Sequence, residues 1–413
     1  METSVFRGPI HSEKRTMSKP HQETVVARYA VNTDSNHGAV IPPLYLSSTF
    51  AFPKFGEKGT YDYTRSGNPT RDQLAGALAE IEGGAGAVIT ASGMSAVHLV
   101  TQLLQPGDLV IAPPDCYGGC HRLLSSCSRR GLFDLSWVPL WETRQAVDQI
   151  LQLKPKMVWI ETPSNPLLRI TDVEAIADAA HRVGAIVVAD NTFLSPAGQQ
   201  PIELGADIVI HSTTKYINGH SDVVGGAVIA TTPERVEELT WWANCLGITG
   251  SPFDSFQTLR GLRTLSVRYQ QHQDSALRIA HFLDGNELVD SVFFPGLKTH
   301  PGHAVATRQQ KGYGAMVSFE LAANLDELAV FLEALELFTL AESLGGVESL
   351  VAHPATMTHA AMSAEDQAAA GISQRLLRLS VGIEHVDDLL QDLQRGFNAL
   401  QSCRKHTAVR GVA

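Results

Sequence analysis

Between residues 83 and 230 the chain repeats one pattern: a short, nearly continuous apolar run, a turn, a stretch with apolar residues at helical spacing, and a turn again. The apolar runs fall at 87–90, 108–111, 157–161, 185–189, 207–210 and 226–229. A strand that is apolar on successive residues must be covered on both faces, and helices returning between strands supply that cover. Residues 172–184 show one such return, with apolar residues at helical spacing and a stop at Gly184. The order predicts an open, mostly parallel sheet whose ligand sits outside the carboxyl ends of its strands. From Pro252 the pattern changes to long helical stretches with strand candidates at 315–321 and 376–381, which predicts a smaller α+β domain. Residues 387–400 read as its closing amphipathic helix, and residues 38–68, rich in Pro, Gly, Ser and Tyr, as a loop or arm. The expected division is residues 1–71 as tail and arm against a neighbouring subunit, 72–251 as the large domain and 252–413 as the smaller one.

Composition narrows the partners. With 32 basic against 43 acidic side chains the net charge is −11, and no long basic run interrupts this. A nucleic-acid groove or an anionic membrane surface needs clustered Lys and Arg, so small molecules are the expected partners, with no nucleic acid and no membrane. No run of about 18 apolar residues predicts a membrane span, and residues 1–22 mix charges without the apolar core of a secretory signal, reading as a loose tail. Five cysteines, with no C-x-x-C pair and one left over, fit a reducing cytoplasm.

The chemistry concentrates at strand ends. His211-Ser-Thr-Thr-Lys-Tyr-Ile-Asn-Gly-His-Ser-Asp222 follows the run 207–210 and places Lys215 just past a strand, behind hydroxyls. That arrangement suits an amine forming a Schiff base with pyridoxal phosphate while the hydroxyls hold the phosphate; alone, it also describes a surface lysine. Asp190, ending the run 185–189, would stand one crossover from Lys215, where a carboxylate can keep a pyridine nitrogen protonated or merely cap a turn. In Thr90-Ala-Ser-Gly-Met-Ser-Ala96 a strand meets a small-residue turn and a helical pattern from near Ser95, so Gly93 and Met94 would offer amides to an anion. Tyr63 and Arg65 precede the sheet in a segment that fits either a phosphate contact across an interface or a solvated turn. Tyr117 follows the run 108–111 and is placed either to stack on a ring or simply to pack. Arg378, among leucines, needs a partner, which a substrate carboxylate or a structural acid would provide. No metal is expected: His211, His220, His300 and His303 form no ligand set and read as loop histidines or as support around a site. Neither a dinucleotide nor a P-loop fingerprint occurs, and no G-x-S-x-G elbow follows a strand.

Taken together, Tyr63-Thr-Arg-Ser-Gly-Asn-Pro-Thr70, Glu161-Thr-Pro-Ser-Asn-Pro166, Asp190-Asn-Thr-Phe193 and Ser212-Thr-Thr-Lys-Tyr-Ile-Asn-Gly-His-Ser-Asp222 resemble the cysteine/methionine-metabolism family of pyridoxal-phosphate enzymes. The resemblance covers residues 30–399 and implies the aspartate-aminotransferase-like α/β fold (fold type I). It implies that Lys215 carries the cofactor and then shuttles protons, and that Asp190 pairs with the pyridine nitrogen. It gives the phosphate to Gly93, Met94, Ser212 and Thr214, joined by Tyr63 and Arg65 of a neighbouring subunit. Tyr117 would stack on the ring and help deprotonate the incoming amine. Arg378 would clamp the substrate α-carboxylate and Glu342 would face the distal end, with Ser343, Asn165 and Arg122 also on the substrate side. A homotetramer of active dimers is implied. Residues 241–244, 247–250, 338–349 and 355–360 look most like the bacterial members that exchange the succinyl group of O-succinyl-L-homoserine for L-cysteine, giving L-cystathionine and succinate in methionine biosynthesis. Members that cleave cystathionine to cysteine, 2-oxobutyrate and ammonia are the alternative, because Ser66 stands where some bacterial members carry a second arginine. Gly119 replaces the cysteine found in members that cleave methionine. A shell serving only as a binding protein would have no use for Lys215, Asp190 and Arg378 together.

Overall fold

The computed structural model describes residues 20–360 and 362–410, the last four by their backbone alone. Most of the tail expected over 1–22 therefore lies outside the described residues. Gln22 itself is anchored rather than loose: it opens the helix Gln22–Arg28, and its Nε2 donates to the carbonyls of Ile81 (3.1 Å) and Pro196 (2.9 Å).

Seven strands build the first sheet: β1 (Gly86–Thr90), β2 (Leu109–Ala112), β3 (Asp134–Trp137), β4 (Met157–Glu161), β5 (Ile186–Asp190), β6 (Ile208–His211) and β7 (Gly226–Ala230), in the order β1-β7-β6-β5-β4-β2-β3. β7 alone runs antiparallel to the other six strands, and the residues that join it to β6, 212–225, form no crossover helix. Six of the strands match the apolar runs. The seventh, β3, has no counterpart among them because Asp134-Leu-Ser-Trp137 is an edge strand, half-exposed and without a continuous apolar run.

Side-chain alternation along these strands divides the core in two. Met157, Trp159, Ile186, Val188, Ile208 and Ile210 pack on one face with the helices Gly93–Thr101 and Gly118–Arg129. Val158, Ile160, Val187, Ala189 and Val209 pack on the other with Pro69–Glu82 and Val173–Arg182. By the same period of two, Glu161 and Asp190 share the face of Trp159 and Val188, whereas His211 points to the opposite face. There His211 Nε2 meets Glu82 Oε1, with both residues fully buried. His211 is therefore a strand-end core residue in a buried pair, not a loop histidine. The crossover helix stops at Gly184 as expected, with φ +76°, and at its start Asp172 accepts the N–H of Ala175.

The second sheet comprises β8 (Val289–Phe293), β9 (Met316–Leu321), β10 (Thr339–Leu340), β11 (Leu350–Ala352) and β12 (Leu376–Ser380), ordered β10-β11-β12-β9-β8 and antiparallel except between β10 and β11. The closing helix, Val386–Arg410, runs longer than the sequence pattern suggested. It buries Leu389, Leu393, Phe397 and Leu400 along one stripe, each contributing about 1.5–3 kcal/mol. Its buried Asp392 accepts the N–H groups of Glu336 (2.8 Å), Leu337 (2.9 Å) and Phe338 (3.0 Å), which fixes the segment leading to Glu342 and Ser343. Residues 38–68 form an arm with isolated bridges only, such as Thr49 to Tyr63, and expose Val40, Leu46, Phe52 and Phe55.

Candidate active site

The carboxyl ends of β4, β5 and β6 open into a cavity of about 470 Å³ that is closed from the far side by residues around β12. Gly93, Met94, Ser212, Thr214, Lys215, Asp190 and Tyr117 line it from the first sheet, together with Arg122 and Asn165; Glu342, Ser343 and Arg378 line it from the second. Tyr63 and Arg65 are not brought to it within one chain. Tyr63 is half exposed, and Arg65 lies over its ring (5.6 Å) while donating through Nε to Asn244 Oδ1 at 3.0 Å. Ser66 closes its own turn, with Oγ 2.6 Å from Asp62 Oδ1.

One end of the cavity is built for an anion. Ser92, not a residue near Ser95, caps the helix Gly93–Thr101: its Oγ accepts the N–H of Ser95 at 3.1 Å, so the helix begins at Gly93. The amides of the first turn have no partner within the helix. Gly93 is needed by contact, since a Cβ there would lie 2.8 Å from Cβ of Ser212. Ser212 is in turn held through its N–H by Thr192 Oγ1 (2.9 Å), and Thr214 Oγ1 accepts the N–H of Gly225 (3.0 Å).

Lys215 lies between this end and the second sheet, its Nζ donating to Ser343 Oγ at 2.7 Å. Burial, reinforced by Arg378 and opposed by Glu342, brings its amine down to about 8. The lysine turn is enclosed by backbone. The buried Arg268 guanidinium donates to the carbonyls of Tyr216 (2.8 Å) and Gly261 (2.8 Å). A Cβ on Gly261 would meet the Asn218 oxygen at 2.1 Å, and one on Gly345 the Tyr216 nitrogen at 2.8 Å.

Arg378 of β12 is 2% exposed. Its Nη1 donates to Asn165 Oδ1 (2.7 Å) and its Nη2 to the Ser343 carbonyl (3.0 Å), while Nε is buried without a partner. Ser343 adopts φ +91°, a conformation costly for a residue with a Cβ, and thereby serves Lys215 with its hydroxyl and Arg378 with its carbonyl. No described carboxylate lies within ion-pairing distance of Arg378, and burial pushes its guanidinium down to about 10. A buried cation with an idle N–H calls for an anionic ligand.

Opposite stand two carboxylates. Glu161 and Asp190 are paired across β4 and β5, and with the Cys120 thiol their ligand atoms lie within 4.8 Å of one another. Burial raises both carboxyls; the Asp190 charge raises Glu161 further, and the N–H of Thr192, donated to Asp190 Oδ1 at 3.0 Å, restrains Asp190. Tyr117 partly covers the cavity, its phenol raised by burial first and then by Cys120 and Glu342, against Arg122 and Arg378. The sequence alone assigns no role to Glu161, Thr192 or Arg268.

The chain matches the sequence model of the Cys/Met metabolism PLP-dependent enzymes over residues 23–398. It belongs to that family. Among its relatives, cystathionine gamma-synthase of Escherichia coli (strain K12) is 55% identical over 92% of this chain and 98% of its own. Cystathionine gamma-lyase of Dictyostelium discoideum is 46% identical over 92% and 97%. A crystal structure of cystathionine gamma synthase from Xanthomonas oryzae pv. oryzae in complex with cystathionine superposes with TM-score 0.92 at 58% identity, covering 93% of this chain and all of that one. The family's fold type I architecture is the α/β arrangement described above, and its cofactor is pyridoxal 5'-phosphate. The residues present fit that group. The Gly93 cradle and the hydroxyls of Ser212 and Thr214 suit a phosphate, the buried acid pair at Asp190 suits a protonated pyridine nitrogen, and an amine that titrates near 8 suits a carbonyl.

Proposed function

We propose that the chain catalyses γ-replacement: O-succinyl-L-homoserine and L-cysteine give L-cystathionine and succinate. The observation that carries this reading is Arg378, a buried guanidinium with an unpaired Nε–H, set beside Lys215 through their shared partner Ser343. A substrate carboxylate answers Arg378, which places the substrate's Cα within the lysine's neighbourhood. The synthase relatives at 55% and 58% identity support the choice among α-amino acids.

Bound pyridoxal phosphate supplies an electron sink for charge developing at the substrate's Cα and Cβ. The chain's residues do the rest. Asp190 would hold the proton of the pyridine nitrogen, and the turn at Gly93 and Met94 with Ser212 and Thr214 would hold the phosphate. Tyr117 would cover the ring and stand where it can take a proton from the incoming amine, although burial raises its phenol and Arg122 and Arg378 oppose that only in part. Lys215 would take the proton from Cα, and a proton lost from Cβ would then leave the electron pair that expels succinate from Cγ; the cysteine sulfur, losing its own proton, would bond to that Cγ, and protons would return to Cβ and Cα. Arg122 would assist the distal carboxylate of the ester, and Glu342 would face the distal end of the substrate.

The same reading makes the protein a homotetramer of active dimers, with the apolar arm 38–68 carrying Tyr63 and Arg65 to a partner's phosphate site, and places it in the cytoplasm. Among the described residues no helix is long and apolar enough to cross a membrane. We propose the division into residues 1–71, 72–251 and 252–413, with the first sheet inside the second segment and the second sheet inside the third.

Incubation with O-succinyl-homoserine, with and without cysteine, and separately with cystathionine tests the reaction. Succinate and cystathionine formed together, with little breakdown of cystathionine, are expected. Rapid release of 2-oxobutyrate from cystathionine with slow use of the ester would establish the lyase instead. A pH profile tests the lysine: an amine must be neutral to attack a carbonyl, and at pH 7 about one in ten molecules is neutral at a value near 8, against about one in 3,000 for an ordinary lysine. The rate at which apoprotein takes up pyridoxal phosphate is therefore expected to rise with pH and level off above about 8, rather than continue rising towards 10.5.

A further inference from the structure

Glu161 ends β4 and is 5% exposed, yet it is neither a cap nor half of an ion pair. Its two oxygens divide between two loops. Oε2 accepts the backbone N–H of Tyr117 at 2.8 Å, and Oε1 accepts the backbone N–H of Asn165 at 3.0 Å. Tyr117 belongs to the loop entering the helix Gly118–Arg129, where its ring faces the cavity. Asn165 belongs to the loop leaving β4, where its side chain takes Nη1 of Arg378 at 2.7 Å. The segment bearing Asn165 is held from behind as well, because His359 Nε2 lies 3.0 Å from the Asn165 carbonyl.

We propose that Glu161 is a positioning residue, whose carboxyl group locks the loop of Tyr117 to the loop of Asn165 and so sets the ring-covering tyrosine and the Arg378 clamp at a fixed separation. This rests on the reading that Arg378 docks the carboxylate of an α-amino acid. The chemistry of the two bonds makes the role specific. Both partners are N–H donors, so each oxygen must accept, and only a carboxyl group presents an acceptor to each. Glutamine has the same shape but offers one oxygen and one NH₂, so one loop must lose its partner and face a donor. Aspartate keeps both acceptors and loses one methylene of reach. Neither amide is in regular secondary structure, so no ladder bond compensates for a lost contact.

The test is Glu161→Gln in the holoenzyme, beside Asn165→Ala and the double variant. Expected for Glu161→Gln are a roughly tenfold higher KM for O-succinyl-homoserine, a smaller fall in kcat, and an altered visible circular dichroism of bound pyridoxal phosphate as Tyr117 shifts. Because Glu161 acts on KM through Asn165, the double variant is expected within about twofold of Asn165→Ala alone. KM, kcat and visible dichroism all within twofold of wild type, whatever the thermal stability, would overturn the proposal, as would effects on KM that multiply independently. If the glutamine variant does not fold, Glu161→Asp carries the same comparison. If the unsubstituted protein makes no cystathionine, the functional reading has failed; the KM comparison then moves to cystathionine as substrate and the dichroism comparison stands unchanged.

Discussion

Lys215→Ala is expected to lower turnover by at least about 10⁴-fold, because it removes both the covalent attachment and the proton shuttle at once. The fold is expected to survive. Among the described residues the amine's one hydrogen-bond partner is Ser343 Oγ, and burial disfavours its charged form, so the side chain contributes little to stability. Far-ultraviolet circular dichroism should match wild type, while pyridoxal phosphate, still gripped at its phosphate end, should become removable by gel filtration. Turnover persisting within a hundredfold would show that another amine carries the cofactor.

Arg378→Ala is expected to cost about 10²–10³-fold in kcat/KM for the ester, most of it in KM. Truncating one member of a buried charged pair costs about 2–5 kcal/mol, and each 1.4 kcal/mol is about tenfold. Unlike Lys215, this residue also supports the structure. Its loss strands Asn165 Oδ1 and the Ser343 carbonyl, both acceptors in a dry site, so thermal stability should fall as well. Arg378→Lys separates the two roles: charge is kept but the fork is lost, so KM should recover only in part. Equal KM values for wild type and Arg378→Ala would remove the carboxylate from this position.

Much of this site is legible in the sequence, for a physical reason. Lys215 and Asp190 follow buried apolar runs, and a parallel sheet delivers the ends of its strands to one edge, so strand order alone brings the two residues together. Glu161 is not legible in that way. A glutamate after an apolar run marks the end of a strand, and only the register of β4 against β5 and the path of two loops reveal what its oxygens hold. Arg268 is hidden similarly: mid-helix in Leu265–Asp284, it reads as a solvated face residue until the helix packs against the lysine turn. The strands β8, β10 and β11 leave no clear trace in the sequence because they are short or half exposed and therefore lack a sustained period.

The backbone sheath around the lysine turn bears on how such a catalyst can diversify. At Gly93, Gly261 and Gly345 a single added methyl group collides with main chain or with a Cβ, neither of which can swing aside as the end of a long side chain can. Drift at these positions is closed off even though none of them supplies a reacting atom. Glu342, Arg122 and Ser66 are exposed and meet no such collision, and of the three only Glu342 acts on the lysine's charge. The glycine-lined turn is thus the part of the site least open to change, which makes the exposed rim the place to engineer a new leaving group or nucleophile.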